Sequence, residues 1–381
     1  MKQTRVLIAP NAFKHSLSAT DVALAIQEGL QESNLDCVCE CFPVGDGGDG
    51  TGQLMIEKLN GVLVSAEVDD PFGRSITSSF GLVNKGETAI IELANASGIQ
   101  LVKPDELDPL HATSFGTGQL IKLALDQGVS KIVLAIGGSA TVDGGTGILR
   151  ALGIRFLDGS GQAITEPEQL IDLTEIDLSD LDQRVLACDI TILCDVENTL
   201  LGERGAAAVF GPQKGATSEG VKKLDASLAM LAQVALQQTG INMAVVKHGG
   251  AAGGVAAGLH TFLNAKLVNG IDFFLTFTGF HKSLAQADWV ITGEGSIDEQ
   301  TLHGKGPFGV AALAKQRELP VVGLAGNVPL TQNKKLNQYF DVLLAIGNGP
   351  VDIGTALRET KSNLVRTAWQ LGNLLASSAG R

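Results

Sequence analysis

The sequence predicts an α/β fold with two domains: a discontinuous Rossmann/flavodoxin-like domain with a parallel sheet in an α/β/α arrangement, and an inserted mixed α/β domain. Three observations support this fold class. Short, continuously apolar segments run repeatedly into glycine-rich loops, as buried parallel strands do. Helical patterns with one apolar face lie between these segments. The two ends of the 381-residue chain are alike in pattern, whereas the middle is more irregular.

The expected domain boundaries follow from the likeness of the two ends. Residues 1–76 and 287–381 are expected to form the discontinuous domain, and residues 77–286 the inserted one. Ligands of open parallel sheets bind beyond the carboxyl ends of the strands. The glycine loops are therefore expected along one edge, with the active site in the cleft between the two domains.

The N-terminal segment predicts a strand, a helix and a second strand. Arg5–Ala9 is a short apolar run typical of a buried strand. Ser18 begins a helix, because Asp21 three residues later completes a capping arrangement and apolar residues recur at every fourth position over Val22–Leu30. Cys37–Val44 predicts the second strand, followed by a glycine loop and a helix.

The later elements repeat this order. Further strands are predicted within residues 131–136, 185–195, 289–295, 320–327 and 341–349. Further helices are predicted at residues 52–59, after residue 147, over 249–263 and over 308–317. Each of these strands runs into a glycine-rich loop, which is where the candidate site residues lie.

Composition and charge exclude several classes of protein. The formal net charge of −13 repels a phosphate backbone and argues against nucleic-acid binding. No apolar segment approaches the roughly 18 residues that span a bilayer, and the N-terminus predicts a strand rather than a signal peptide. Five cysteines without a secretory signal indicate reduced thiols, so we expect a cytoplasmic protein. Both a monomer and a homodimer stay open.

Three of the cysteines form a C-x-C-x-C pattern. On a strand, Cys37, Cys39 and Cys41 lie on one face. A thiolate metal site is one interpretation, although the sequence shows no fourth ligand nearby. The preferred interpretation is that of small, buried side chains on a strand.

The segment GSIDEQTLHGKGPFGVA (295–311) is the strongest local candidate for a phosphate-binding loop. Lys305 lies between Gly304 and Gly306, and Pro307 suits the first position of a helix. Backbone N–H groups and a cation at a helix N-terminus favour anions. The alternative is a tight turn with a solvated lysine.

Carboxylates lie in two of the loops. Glu294 and Asp298 lie at the end of a predicted strand, where either is suited to hold Mg²⁺ or to accept a hydroxyl proton. VGDGGDGT (44–51) places Asp46 and Asp49 among four glycines. The same residue types also form ordinary turns, so a structural role stays open for all four.

Lysines lie in two further loops. IAPNAFKHSLSA (8–19) is the first strand-to-helix junction, and its polar residues are Asn11, Lys14 and Ser16. Helix capping explains a serine there but not Lys14, which is suited to a carboxylate or a phosphate. FGPQKGA (210–216) supplies Lys214 on a Gly-Pro loop. Possible metal or hydroxyl contacts upstream of it are Asp195 and Asn198.

The segment GGSATVDGG (137–145) resembles an anion cradle. Its N–H and O–H donors are those of Gly137, Gly138, Ser139 and Thr141. Asp143 is expected to cap the next helix, and it would oppose a phosphate placed directly there. The sequence contains neither the P-loop motif G-x4-G-K-[ST] nor the motif set of protein kinases. These loops predict a phosphate-handling enzyme without identifying the acceptor.

At these motifs the chain resembles the bacterial class I glycerate kinase family. The family pattern reads IAPDSFKGSLSA, DGGEGT, GIGGSATNDGG, CDVxNPLxGxxGAxxxFGPQKGA, GAAGG and VITGEGxxDxQTxxGKxPxGVA. This sequence has IAPNAFKHSLSA, DGGDGT, AIGGSATVDGG, CDVENTLLGERGAAAVFGPQKGA, GAAGG and VITGEGSIDEQTLHGKGPFGVA, in the same order over residues 8–311. Six long blocks in register are far more specific than one glycine motif.

The resemblance implies ATP-dependent phosphorylation of D-glycerate with Mg²⁺, and favours 2-phosphoglycerate over 3-phosphoglycerate as the product. The resemblance does not settle the catalytic base, so the roles are assigned from the chemistry of the loops. The expected catalytic residues are Lys14, Asp46, Asp195, Lys214, Asp298 and Lys305. The expected ATP-binding residues are Gly137, Gly138, Ser139, Thr141, Gly304 and Lys305. The expected substrate-binding residues are Asn11, Lys14, Ser16, Asn198, Gln300 and Thr301, and the expected metal ligands are Asp46, Asp195 and Asp298.

The chain departs from the family pattern at several positions. Asn11 replaces Asp, Ala12 replaces Ser, His15 replaces Gly, Asp49 replaces Glu, Val142 replaces Asn and Thr199 replaces Pro. An amide at position 11 is a poor candidate for an obligatory base. A kinase for another small hydroxy acid and a non-catalytic nucleotide- or anion-binding protein are therefore the alternatives, the second disfavoured by the retained lysines and carboxylates.

Overall fold

The computed structural model describes residues 3–379. The strands are β1 (Thr4–Ile8), β2 (Cys37–Cys41), β3 (Val62–Asp69), β4 (Ser75–Val83), β5 (Thr88–Glu92), β6 (Lys131–Ala135), β7 (Arg155–Asp158), β8 (Leu173–Asp177), β9 (Asp189–Cys194), β10 (Lys266–Asn269), β11 (Trp289–Ser296), β12 (Val321–Asn327) and β13 (Val342–Ala345).

The α-helices lie mostly between these strands. They are α1 (Ala19–Gln31), α2 (Thr51–Lys58), α3 (Ala94–Ser97), α4 (Phe115–Asp126), α5 (Thr146–Ala151), α6 (Gln183–Leu186), α7 (Ala206–Phe210), α8 (Ser218–Thr239), α9 (Val255–Leu263), α10 (Gly270–Phe277), α11 (Phe280–Leu284), α12 (Gly306–Lys315), α13 (Ile353–Arg358) and α14 (Thr360–Ala379). Short 3₁₀ turns include Pro167–Asp172, Pro212–Lys214 and Glu299–Leu302.

By its internal contacts the chain divides into two units. The first contains the described residues up to Asp46 and from Ile271 onward, and the second is Gly47–Gly270. The boundaries between these two units lie at residues 46/47 and 270/271. The domain boundaries expected from the sequence, at residues 76/77 and 286/287, concern folding domains and stay a prediction.

The first unit is built on a parallel sheet. Within its described residues the strand order is β13-β12-β11-β1-β2, and each neighbouring pair is parallel. The prediction that the first strand shares a sheet with the last three is therefore confirmed. Helix α1 begins as its sequence predicts, because Ser18 Oγ accepts a hydrogen bond from Asp21 N at 3.1 Å.

Strand β2 is shorter than predicted. It ends at Cys41 rather than Val44, although Phe42 N and Val44 N still donate hydrogen bonds to Ile8 O and Pro10 O. Pro10, beyond the end of β1, has no N–H with which to donate back to this segment. Its three cysteine side chains are half-buried and pack against the apolar core of the first unit, in agreement with the preferred interpretation.

The second unit contains a mixed sheet. In its described part the order is β10-β9-β6-β5-β4-β3, in which β5, β6, β9 and β10 are parallel and β3 and β4 are antiparallel. The two sheets confirm the predicted α/β class. No helix in the described range 3–379 combines the length and apolar character that crossing a bilayer requires.

The helix predicted over residues 249–263 begins late. Residues 251–254 form an irregular turn in which Ala252, Gly253 and Gly254 have positive φ, and the α-helix starts at Val255. The backbone is tight there, since a Cβ on Gly253 would lie 2.0 Å from Thr141 O. Close approach of another loop, rather than helix propensity, decides this boundary.

Candidate active-site loops

Three neighbouring strands of the first unit end at one edge of its sheet. Because β2, β1 and β11 are parallel and adjacent, the residues that follow or end them come together. Asn11 Nδ2 donates a hydrogen bond to Asp46 Oδ2 at 2.9 Å, and Asn11 N donates to Gly293 O at 2.8 Å. The sheet thus joins two sequence-predicted site residues that are 35 positions apart.

Glu294, at the end of β11, is the central carboxylate of this edge. Its side chain is buried, and Oε1 accepts a hydrogen bond from Thr301 Oγ1 at 2.9 Å. Burial raises the pKa of Glu294 to about 7. The positive charges of Lys305 and Lys14 and the Thr301 hydrogen bond oppose this rise in pKa, while the negative charge of Asp46 adds to it.

Glu294 was not among the predicted site residues. Its position in the block VITGEG puts it at the end of a predicted strand, but Asp298 was the preferred candidate. Nothing local distinguishes the two, because only the fold buries one and leaves the other partly exposed.

Asp298 begins the turn that carries the neighbouring predicted residues. Asp298 Oδ1 accepts a hydrogen bond from Gln300 N at 2.8 Å, and Asp298 N donates to Thr301 Oγ1 at 3.1 Å. Thr301 is fully buried, so its hydroxyl links the Asp298 backbone to Glu294. The turn holds Glu294 in place, while Gln300 is exposed.

Lys305 lies at the N-cap of α12, one residue before the helix starts at Gly306. Its carbonyl accepts hydrogen bonds from Phe308 N and Gly309 N at 3.1 and 3.2 Å. Gly304 precedes it with φ of 92°, a left-handed conformation in which glycine is favoured. The predicted arrangement of a lysine at a helix start is confirmed.

The first loop presents Lys14 to solvent. Lys14 is exposed, whereas Ser16 Oγ donates a hydrogen bond to Leu357 O at 2.6 Å and so helps to fix the loop. His15, between them, has φ of 65°. This left-handed position explains physically why the family pattern has glycine there.

The second unit has a comparable edge, formed by β5, β6 and β9. These strands are parallel and adjacent, so Glu92, the loop from Gly137 and Asp195 follow at one side. Two glycine loops touch here: a Cβ on Gly137 would lie 2.5 Å from Gly48 Cα. Gly137 N also donates to Gly47 O at 3.2 Å.

The buried Lys214 side chain supports the Gly137–Thr141 loop through hydrogen bonds. It is 2 % exposed, and Nζ donates hydrogen bonds to Ser139 Oγ and Thr141 O, both at 2.7 Å. Burial lowers the pKa of Lys214 to about 7, and the charge of Asp143 opposes this shift. The fold therefore brings three sequence-predicted residues together.

Asp143 and Asn198 have structural partners. The Asp143 carboxylate accepts hydrogen bonds from Ser114 N and Oγ and from the backbone of Gly145 and Gly147, as expected for a residue that caps the following helix. Asn198 Nδ2 donates to Arg204 O at 2.8 Å. Asp195, after β9, is exposed.

Glu92 is the buried carboxylate of this second edge. Its Oε1 accepts a hydrogen bond from Gly52 N at 2.6 Å, at the start of α2. Burial raises the pKa of Glu92 to about 7, backbone hydrogen bonds from Gly52 and its neighbours oppose the rise, and the charge of Asp49 adds to it.

Comparison with known proteins identifies the family. Residues 6–376 match the model described as "Glycerate kinase family". A glycerate kinase of Bacillus subtilis is 42% identical over 96% of both chains, and a glycerate 2-kinase of Escherichia coli is 40% identical over 98% of both. The crystal structure of a putative glycerate kinase 2 from Salmonella typhimurium LT2 matches 100% of both chains with a TM-score of 0.85 and 41% identity. The chain therefore belongs to the glycerate kinase family and is a kinase.

Proposed function

We propose that the chain transfers the γ-phosphoryl group of ATP to the 2-hydroxyl of D-glycerate, with Mg²⁺, and releases 2-phosphoglycerate. The observation that carries this proposal is the environment of Glu294, a buried acid with a pKa near 7 that faces two lysines and a second carboxylate. Similarity to a relative named glycerate 2-kinase supports the choice of hydroxyl.

Glu294 is the general base of the proposed reaction. An acid with a pKa near 7 is partly ionised at neutral pH, so it can accept the proton of an attacking hydroxyl and return it later. The Thr301 hydroxyl holds the carboxylate oxygen at 2.9 Å and fixes its direction. We propose Glu294 in preference to Asp298, because an Asp298 oxygen already caps a turn.

Lys305 and Lys14 supply the positive charge. Phosphoryl transfer requires charge neutralisation and alignment more than covalent help. The charges of both ammonium groups oppose the rise in the pKa of Glu294, which favours them as the cations of the reaction. We assign Lys305 to the phosphoryl oxygens, Lys14 to the glycerate carboxylate, and Asn11, Ser16 and Gln300 to positioning of the substrate. Asn198, in the second unit, is a separate candidate for contact with the substrate.

In the second unit, the Gly137–Thr141 loop is proposed to bind phosphate groups of ATP. Gly138 carries no side chain to shield its backbone N–H, whereas the Gly137 N–H already donates to Gly47 O. In the first unit, Gly304 and Lys305 are the proposed phosphate-binding residues. Lys214 was predicted to contact the transferred group. Because it is 2 % exposed and bonds to Ser139 and Thr141, we now propose a positioning role for it.

Mg²⁺ prefers oxygen ligands, so the loop carboxylates suit it. Asp46 and Asp298 are the proposed ligands in the first unit, and each already has one oxygen in a hydrogen bond. Asp195 is a separate candidate ligand in the second unit, where it is exposed. When bound, Mg²⁺ neutralises the charge of the phosphate oxygens.

The decisive experiment is a coupled assay of ADP release with D-glycerate, with and without Mg²⁺, followed by ³¹P NMR of the product. We expect magnesium-dependent turnover and 2-phosphoglycerate. D-lactate, which has only the 2-hydroxyl, should be phosphorylated slowly, whereas 3-hydroxypropanoate should not. Turnover of 3-hydroxypropanoate alone, or a 3-phosphoglycerate product, contradicts the choice of hydroxyl.

A second candidate is a kinase for another small hydroxy acid. The observation that favours it is the Asn11–Asp46 hydrogen bond, because an aspartate at position 11, as in the family pattern, could not donate it. If Asn11 shifts specificity, Asn11→Asp should change kcat/KM for D-glycerate relative to L-glycerate and glycolate by tenfold or more. Equal ratios in both proteins exclude this candidate.

A further inference from the structure

We propose that His111, Glu166 and Glu168 form a binding site for a divalent transition-metal ion of the zinc type. The three residues lie in the second unit, in the loop before α4 and at the start of the turn Pro167–Asp172. One imidazole nitrogen and two carboxylate oxygens lie within 4.8 Å of one another. None of these residues has a part in the proposed phosphoryl transfer.

The spacing of the three atoms fits a metal better than direct hydrogen bonds. His111 Nε2 lies 3.7 Å from Glu166 Oε2 and 3.5 Å from Glu168 Oε1. Hydrogen bonds of this kind are shorter, at about 2.7–3.2 Å. A tetrahedral ion with bonds of about 2.0–2.2 Å keeps its ligand atoms roughly 3.3–3.6 Å apart. The two distances from His111 Nε2 are close to this spacing, and the two glutamate oxygens lie within 4.8 Å of each other.

The imidazole is already oriented for a metal. His111 Nδ1 lies 2.7 Å from Asp108 Oδ2, and Asp108 Oδ1 accepts a hydrogen bond from Leu110 N at 3.0 Å. With an ionised Asp108 the proton is held on Nδ1, so Nε2 carries the lone pair and points to the two glutamates. A carboxylate behind a ligating histidine in this way fixes its tautomer and strengthens it as a ligand.

The two segments that carry the ligands are tied together. Glu168 N donates a hydrogen bond to Leu110 O at 3.1 Å, and Ser227 Oγ of α8 donates to Glu168 O at 3.1 Å. The ligand backbones are thus fixed before any ion binds, which lowers the ordering cost of coordination.

The net charge around His111 is negative and favours a cation. Asp108, Glu166 and Glu168 surround one imidazole, so the group is negative even when His111 is protonated. Arg150 lines a cavity of about 330 Å³ with His111 and Glu166. Its guanidinium, however, packs on the Phe115 ring at 5.3 Å and donates to Thr165 O at 2.7 Å.

The mixture of donors selects the kind of ion. An imidazole nitrogen with carboxylate oxygens suits Zn²⁺ and its first-row neighbours, whereas Mg²⁺ and Ca²⁺ prefer oxygen alone. His111 and Glu168 are 41% and 35% exposed in their side chains, so water can complete the coordination shell. The ion would link two segments more than fifty residues apart in the chain and stabilise the folded second unit.

The test is isothermal titration of Zn²⁺ into the metal-stripped full chain, with excess Mg²⁺ to fill sites that prefer oxygen. We expect one Zn²⁺ per chain with micromolar affinity, a rise of several degrees in Tm, and four-coordinate absorption bands with Co²⁺ as the probe. His111→Ala should abolish binding. Glu168→Gln and Asp108→Asn should weaken it by about ten- to a hundredfold.

Matched controls separate this site from general adsorption of zinc. His281→Ala and Glu175→Gln remove an exposed histidine and an exposed glutamate elsewhere, and both should bind Zn²⁺ as the parent does. Glycerate kinase activity with Mg²⁺ should be unchanged in His111→Ala, so failure of this proposal is distinct from failure of the proposed function.

Three outcomes would overturn the proposal. The first is that the parent chain binds no Zn²⁺ at concentrations up to about 100 μM. The second is that a folded His111→Ala or Glu168→Gln variant binds Zn²⁺ as tightly as the parent. The third is that Ca²⁺ competes equally for the site.

Discussion

Glu294 in the first unit and Glu92 in the second are alike in position and burial but differ in their partners. Each lies at or near the carboxyl end of a parallel strand, and burial raises the pKa of each to about 7. Glu92 accepts backbone N–H groups at the start of α2, whereas Glu294 accepts a hydroxyl and faces two lysines and Asp46. A raised pKa is therefore shared by a helix cap and a candidate base, and the neighbouring groups decide between the two roles.

The strongest test of this difference is to remove each charge without changing shape. Glu294→Gln should lower kcat with D-glycerate by about 10²- to 10⁴-fold, because a carboxamide cannot accept the proton. Glu92→Gln should stay within about threefold of the parent, since its oxygen can still accept the Gly52 N–H. Steady-state kinetics of both folded variants measure the contrast, and equal losses would show that burial alone governs activity.

Lysines give a second contrast of the same kind. Lys305→Ala should lower turnover by about a hundredfold or more, because a cation near transferring phosphoryl oxygens is worth on the order of 3 kcal/mol. Lys305→Arg should recover only part of the rate. If a folded Lys305→Ala protein keeps a turnover within about threefold of the parent, the result supports the alternative of a solvated lysine without a catalytic role.

Lys214 should respond differently, because it is buried behind its loop. Lys214→Met should lower the free energy of unfolding by about 1–3 kcal/mol, since Ser139 Oγ and Thr141 O lose a buried donor. It should also raise KM for ATP more than it lowers kcat. Urea unfolding and steady-state kinetics test this. A loss in kcat with unchanged KM and stability would support the original prediction that Lys214 takes part directly in catalysis.

The pH dependence separates the two glutamates. Both have a folded pKa above the unfolded value of about 4.5, so the folded state binds more protons between pH 4.5 and 7 and stability falls as pH rises through that window. Glu92→Gln and Glu294→Gln should each flatten this fall. For the parent, kcat/KM should rise with pH through about pH 7, and only Glu294→Gln should remove this rise. Denaturation curves measure the effect on stability, and pH–rate profiles measure the effect on kcat/KM.

The smallest effect concerns the loop that carries Lys14. His15→Gly should raise the free energy of unfolding by up to about 1 kcal/mol, because φ of 65° strains a residue with a side chain. His15→Ala keeps the strain and should bring no gain. Urea midpoints with unchanged slopes test this, and an equal gain from alanine would assign the effect to the imidazole instead.

Much of the fold was predictable because its signals are local. The Ser18–Asp21 cap and the apolar run of β1 each involve residues only a few positions apart, and the structure contains both. Where prediction was wrong, a distant neighbour decided: the start of α9 is set by the close approach of Gly253 to Thr141. Strand β2 also ended early beside a residue distant in the chain, because Pro10 of the neighbouring segment has no N–H to donate to it.

The site was predictable in part. The sequence placed Lys305 at a helix start and Asp143 at a cap, since both depend on nearby backbone groups. It could not rank Glu294 above Asp298, because both carboxylates lie close to the end of the same strand. Only burial and the charges of Lys14 and Asp46, which are distant in the chain, distinguish them.

The sequence by itself determined the family, the alternation of strands, glycine loops and helices, and the lysines that are candidates for binding phosphate. Each of these is a property of residue type and short spacing. Only the tertiary structure decided that Lys214 is buried, that Glu294 rather than Asp298 faces the lysines, and that His111 meets Glu166 and Glu168. Burial, pKa and coordination geometry depend on atoms that are close in space, and the chain brings those atoms together from positions tens to hundreds of residues apart.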